Sequence, residues 1–252
     1  MNTILHIAAH ELRRLFKSPL AWILFAVVQF LLAVFFVLIL RLSQFTDRAA
    51  ALLSANHGVT EIVVVELLQV AGIILLLITP FVTMRTFSEE RQSGCIILLL
   101  SSPISLTELV LGKYLGVFCY LFLLISLITL MPLSLLMGTE LDLLHLLSAV
   151  LGLVLLASSF AAIGLFVSSL TSQSAVAAIS TFGVLFVLWI MDMADNTGSG
   201  LFSEILGYTS LLNHYHNLLD GIFNSADVIY YILVSTVFIM LSIWRLDSER
   251  LL

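Results

Sequence analysis

The chain has 252 residues, of which 61% are apolar and only 10% charged, and its mean hydropathy is +1.15. A water-soluble domain is near half apolar and a quarter charged, so the composition excludes that class and points to an all-α integral membrane protein. The formal charge of −6 carries less information than where Lys and Arg fall; no nucleic-acid partner is expected. Cys95 and Cys119 are too few and too far apart for a disulfide framework or a metal site.

Residues 1–19 come first. Ile4, Leu5, Ala8, Leu12, Leu15 and Phe16 recur at helical spacing, with His6, His10, Arg13, Arg14 and Lys17 between them, which predicts an amphipathic helix in the membrane interface. It reads either as a plain surface anchor or as a helix that also meets a cytoplasmic partner. Pro19 disfavours helix at Ser18 and turns the chain into the membrane. Residues 20–40 are uncharged; at about 1.5 Å per residue they cover roughly 31 Å, the thickness of a hydrocarbon core. No small-residue cleavage site follows at Arg41-Leu42-Ser43-Gln44, so this span is expected to stay attached.

Further spans are predicted at about 62–83, 114–137, 146–170, 175–191 and 228–244, giving six transmembrane helices in a single domain, 1–252. Residues 192–227 form an outer loop whose two apolar patches are too short to cross and are expected to be outer-face or re-entrant helices. With a cytoplasmic amino terminus, Arg13, Arg14, Lys17, Arg85, Arg91, Lys113, Arg245 and Arg250 lie inside and only Arg41 and Arg48 outside. That asymmetry places both termini in the cytoplasm.

The stretch FSEERQSGCIILLLSSPIS, 87–105, lies between the second and third spans. Glu89, Glu90, Arg91 and Gln92 are good helix formers, so the second helix is expected to continue through 85–91, and Gly94 to stop it. Ile96, Ile97, Leu98, Leu99 and Leu100 are too few to span, and leaving them in water costs roughly 1.5 to 3 kcal/mol each, so lipid or another protein must cover them. After Pro103, Ser105-Leu-Thr-Glu108 has the form of a capping box that opens the next helix. A short helix held crosswise between two long ones can receive a push from a cytosolic motor; an elbow that only redirects the chain is the alternative.

The segment MRTFSEERQSGCIILLLSSPISLTELVLGKYLG resembles the region after the second span of type-2 ABC-transporter permeases, matching at Phe87, Glu90, Arg91, Gly94, Leu98, Leu99, Ser102, Pro103, Gly112 and Lys113. ELRRLFKSPLAW, ITPFVTMRTF, LFVSSLTSQSAVA and NLLDGIFNSADVIYYIL extend the resemblance over most of the chain, the last two being most similar to the gliding-motility branch. Cys95 and Ile97 stand where that pattern usually has Thr and often Glu, which shifts the expected contact toward apolar burial.

The resemblance implies a cytoplasmic coupling helix between spans 2 and 3, carried by Phe87, Glu89, Glu90, Arg91, Gly94, Ile96 to Leu100 and Pro103. It implies two permease copies, identical or related, over two cytosolic ATPase subunits in a bacterial inner membrane, with an auxiliary envelope protein as a further partner. ATP and Mg belong to the ATPase: LVLGKY lacks both the upstream Gly and the following Ser or Thr of a phosphate-binding loop, so this chain is expected to be neither an enzyme nor a cofactor binder. Its function is read as the permease subunit of an ATP-driven exporter; a membrane scaffold transmitting force to envelope partners is the alternative.

Glu66, a carboxylate inside a span, could meet substrate or reach interfacial water, and Gln69, Thr79, Ser180 and Thr181 could line the same path or bond back to their own helices. His214 and His216 diverge on a helix and lack the further ligands that zinc needs alongside Asp220. Ala157, Ser158, Ala161, Ala162 and Gly164 predict close helix packing along the fourth span.

Overall fold

A computed structural model describes residues 2–50, 59–95, 104–137, 142–195 and 210–250, and among them every regular element is helical. The helices are α1 (Asn2–Lys17), α2 (Pro19–Ala50), α3 (Val59–Thr83), α4 (Ser88–Gln92), α5 (Leu106–Leu133), α6 (Leu143–Leu170), α7 (Ser174–Asp195), α8 (Leu211–Leu219) and α9 (Ser225–Arg250), with one 3₁₀ turn at Ser134–Met137.

Five stretches are long and apolar enough to cross a membrane: Pro19–Leu42, Val63–Gln92, Leu106–Leu133, Leu143–Leu170 and Ser225–Ser248. The expected fifth span, 175–191, falls on α7, whose apolar part, Ser174–Ile190, is shorter than these five. The outward faces of α2, α7 and α9 carry exposed Trp22, Phe30, Ile179, Phe186, Ile232 and Trp244, an apolar surface that only lipid or another apolar face covers at low cost.

α6 is the central helix. Ala157, Ala161 and Ala162 are fully buried along it, and Gly152 and Gly164 let neighbours approach its backbone: a Cβ on Gly164 would lie 2.9 Å from Thr83 Cβ, and one on Gly152 would lie 2.9 Å from Leu218 Cβ. Ser158 and Ser159 share hydrogen bonds of 3.3 Å with Ser235 of α9. The small-residue faces expected on this span do pack closely.

α8 is the short helix expected within 192–227. Its nine residues cover only about 13 Å, too little to cross. Instead Leu211, Leu212, Tyr215, Leu218 and Leu219 are buried inside the bundle, and Tyr215 donates a 2.7 Å hydrogen bond to the Leu68 carbonyl of α3. Complete burial holds its phenol well above the usual pKa, so it stays a neutral donor. Gly221, at φ +76°, ends the helix; the Gly221 N–H reaches Leu218 O and the Ile222 N–H reaches Asn217 O. That left-handed closing pattern suits glycine.

One sequence expectation is corrected. The second helix does not run on through 85–91: α3 ends at Thr83, Met84 to Phe87 form a turn, and α4 begins afresh at Ser88. Hydroxyls take over carbonyls that helical N–H groups would otherwise use, Thr83 bonding to Thr79 O, Thr86 to Thr83 O and Ser88 to Met84 O, and such back-bonding bends helices. On α1 one charged residue is buried with the apolar ones. Leu5 is exposed, and the charged Glu11 is buried alongside Ala8, where α1 packs against the glycines of α5.

Candidate functional site

The turn Met84–Phe87 is held by side chains from three other helices. Arg14 of α1 donates to the Arg85 carbonyl at 3.1 Å, and Lys113 of α5 donates to the Thr86 carbonyl at 2.8 Å. Ser168 of α6 accepts the Phe87 and Ser88 N–H groups at 3.1 and 3.3 Å and donates to Met84 O. Phe87 itself offers α4 no side-chain cap, so Ser168 supplies from across the bundle the cap that helix starts normally find locally.

The same cations bind two acids. Lys113 Nζ lies 2.5 Å from Glu90 Oε1 and 3.7 Å from Glu11 Oε2; Arg14 lies 2.6 Å from Glu11 Oε1 and 3.6 Å from Glu90 Oε1. Two carboxylates and two cations therefore balance within one cluster. The Lys113 and Glu11 side chains are only 3% exposed, and buried charges of this kind need partners nearby. Lys113 also stands 5.0 Å above the Phe87 ring, within cation–π range.

Backbone packing makes this meeting possible. Gly112 and Gly116 form a G-x-x-x-G face on α5: a Cβ on Gly112 would be 2.7 Å from Ile7 Cβ, and one on Gly116 would be 2.7 Å from Glu11 Cβ. Only glycine at both positions lets α1 lie close enough for Glu11 to reach Lys113. Phe87 closes the cluster from the other side, fully buried with Leu109, Val110, Leu165 and Leu246.

Of the residues picked out for coupling, Phe87 and Glu90 thus face inward, Glu89 is exposed and Arg91 half-buried. Gly94 has φ +71° and closes the α4 turn as expected; Ser105 and Glu108 form the expected capping box. Ile96 to Leu100 and Pro103 lie outside the described residues. Among the possible path residues, Thr79 and Thr181 are buried and bond to their own helices, at Leu75 O and Ala177 O, and Ser180 is half-buried. Glu66 and Gln69 are exposed and head a stripe on α3 with Ile73, Leu77 and Phe81. His214 turns to Asp227 at 2.6 Å, joining α8 to α9. Sequence reasoning missed Glu11 and Lys113 as partners; the G-K-Y-L-G spacing, 112–116, was the signal that could have flagged the close helix pair.

A family model described as ABC-2 family transporter protein matches residues 5–251, nearly the whole chain. The chain belongs to the ABC-2 transporter family. It is accordingly a multi-pass membrane protein and a permease subunit of an ABC transporter, in a family that generally works with a cytosolic ATPase and is typically not itself catalytic. No curated protein matches the chain. The charged cluster and the clamped turn lie together at the polar elbow 84–95.

Proposed function

We propose that this ABC-2 permease is the membrane subunit of an exporter, that a separate ATPase docks on the stretch 87–103, and that the clamped turn carries the ATPase's movement into the bundle. The observation that carries the reading is the set of four side chains, from α1, α5 and α6 as well as α4, that grip the elbow. A push on α4 cannot be absorbed by bending the turn, because its carbonyls at Arg85 and Thr86 and its N–H groups at Phe87 and Ser88 are all bound by other helices. It must displace α1 and α5 together.

In this reading α7 completes a sixth span, both termini are cytoplasmic, and the protein sits in a bacterial inner membrane. Two copies face each other, and the stripe running from Glu66 through Gln69 to Phe81 borders the path between them. The resemblance of the 165–177 and 217–233 regions to gliding-motility permeases supports that branch. ATP and Mg are bound by the ATPase alone.

Replacing Ile96 to Leu100 with polar residues tests docking. The expected result is loss of ATPase copurification with the permease; an ATPase that stays bound, with unchanged activity, overturns the docking assignment. Glu90→Gln tests transmission. It is expected to leave the ATPase bound while uncoupling hydrolysis from ATP-dependent substrate movement in vesicles, and full coupling in that variant refutes the clamp's role.

A further inference from the structure

A cavity of 610 Å³ opens beside the clamp, between the α1–α2 corner and the end of α3. That volume is typical of ligand sites. Leu24 of α2 and Phe81 and Val82 of α3 form an apolar wall, and Lys17, Ser18, Arg85 and Glu89 a polar rim. Arg14 and Glu90 also reach it, but both are engaged in the cluster already described.

Lys17 and Arg85 are different. Among the described residues neither makes an ion pair, although each stands two residues from the end of a long apolar helix: Lys17 before α2, which starts at Pro19, and Arg85 after α3, which ends at Thr83. Both cations therefore stand at the same boundary of the apolar belt. Trp22, exposed and donating its ring N–H to Phe16 O, marks that boundary in the way interfacial tryptophans do. The first turn of α2 also lines the cavity at Leu20 and Ala21. Glu89 opposes the two cations with a single exposed carboxylate, which leaves the rim net positive.

We propose that this cavity is a binding site for an anionic glycerophospholipid of the leaflet on the α1 side. The phosphate sits between Lys17 and Arg85, and an acyl chain lies along Leu24, Phe81 and Val82. Phe81 is 47% exposed, so the apolar wall is continuous with the lipid-facing surface and a lipid can enter sideways. A free phosphate would use the rim but gain nothing from the wall; a lipid uses both. Because the site bridges the α1–α2 corner and the start of the clamped turn, an occupant stiffens the two elements that the cluster ties together.

The test uses the full permease without any ATPase, so that it does not depend on the coupling reading. Native mass spectrometry compares retention of phosphatidylglycerol with phosphatidylcholine of the same chains. Phosphatidylglycerol is expected to be retained selectively, with Lys17→Gln and Arg85→Gln each weakening it about fivefold, the effect of one cation near a lipid surface. Arg41→Gln, at the far end of the same span, is expected to leave retention unchanged, and all three variants should keep wild-type thermal stability in detergent without added lipid. Equal retention of the two lipids, equal loss in the Arg41 variant, or full displacement of phosphatidylglycerol by an equal concentration of inorganic phosphate would each overturn the proposal.

Discussion

Replacing Lys113 with Met keeps most of the side chain's volume and removes its charge from the centre of the clamp. Four contacts disappear: the 2.8 Å bond to Thr86 O, the 2.5 Å pair with Glu90, the 3.7 Å approach to Glu11 and the cation–π contact with the Phe87 ring. Two carboxylates are then left with one cation, Arg14, and Glu11 is a nearly buried acid. Breaking a buried pair on one side costs about 3 to 5 kcal/mol. Arg14 stays 2.6 Å from Glu11, so the expected loss is at the lower end, about 3 kcal/mol, or roughly 6 to 12 °C in the unfolding midpoint of a chain this size. Thermal unfolding of the detergent-purified permease measures it. A cycle with Glu90→Gln isolates the pair: the double variant is expected to lose about 1 to 3 kcal/mol less than the sum of the single losses. If the two losses add to within about 0.5 kcal/mol, the residues are independent and the clamp argument fails.

Three further outcomes are expected. Gly116→Leu drives a side chain into Glu11 Cβ and the Ala8 carbonyl, at 2.7 and 3.1 Å from the first added carbon, so α1 should lift from α5; thermal unfolding should show a loss of about 1 to 3 kcal/mol, and wild-type stability would contradict the packing. Gly164→Ala overpacks against Thr83, at a cost of about 1 to 3 kcal/mol, and adding Thr83→Ala should restore most of the stability seen by thermal unfolding. Tyr215→Phe removes the bond to Leu68 O but keeps the ring beside Gly72; the unfolding measurement should show a loss of about 1 kcal/mol, with more if the unpaired carbonyl finds no water.

The elements of the elbow were legible to different degrees. The helix break at Pro19, the left-handed Gly94 and the Ser105–Glu108 cap follow from local chemistry, since each is decided by residues within about four positions of one another. The interruption at Met84–Phe87 was not legible, because it depends on Ser168, some eighty residues away, accepting two N–H groups. Glu11 was not singled out in the sequence. Its burial depends on two glycines of α5 that bring the helices together, and nothing near Glu11 in the chain announces them. The short helix α8 was visible as an apolar patch too short to span, but its place inside the bundle was set by Gly72 and Gly152 on two other helices.

The sequence by itself determined the solvent this protein lives in and most of its helices, because hydropathy, breaks and caps are properties of short runs. It also supplied the motifs that resemble one transporter family. Only the tertiary structure decided which charges are paired. Lys113 and Glu90 are 23 residues apart and Lys113 and Glu11 farther still, and in a medium that penalises every unpaired charge, the partner is chosen by which helix backbones can approach closely enough to bring the charges together.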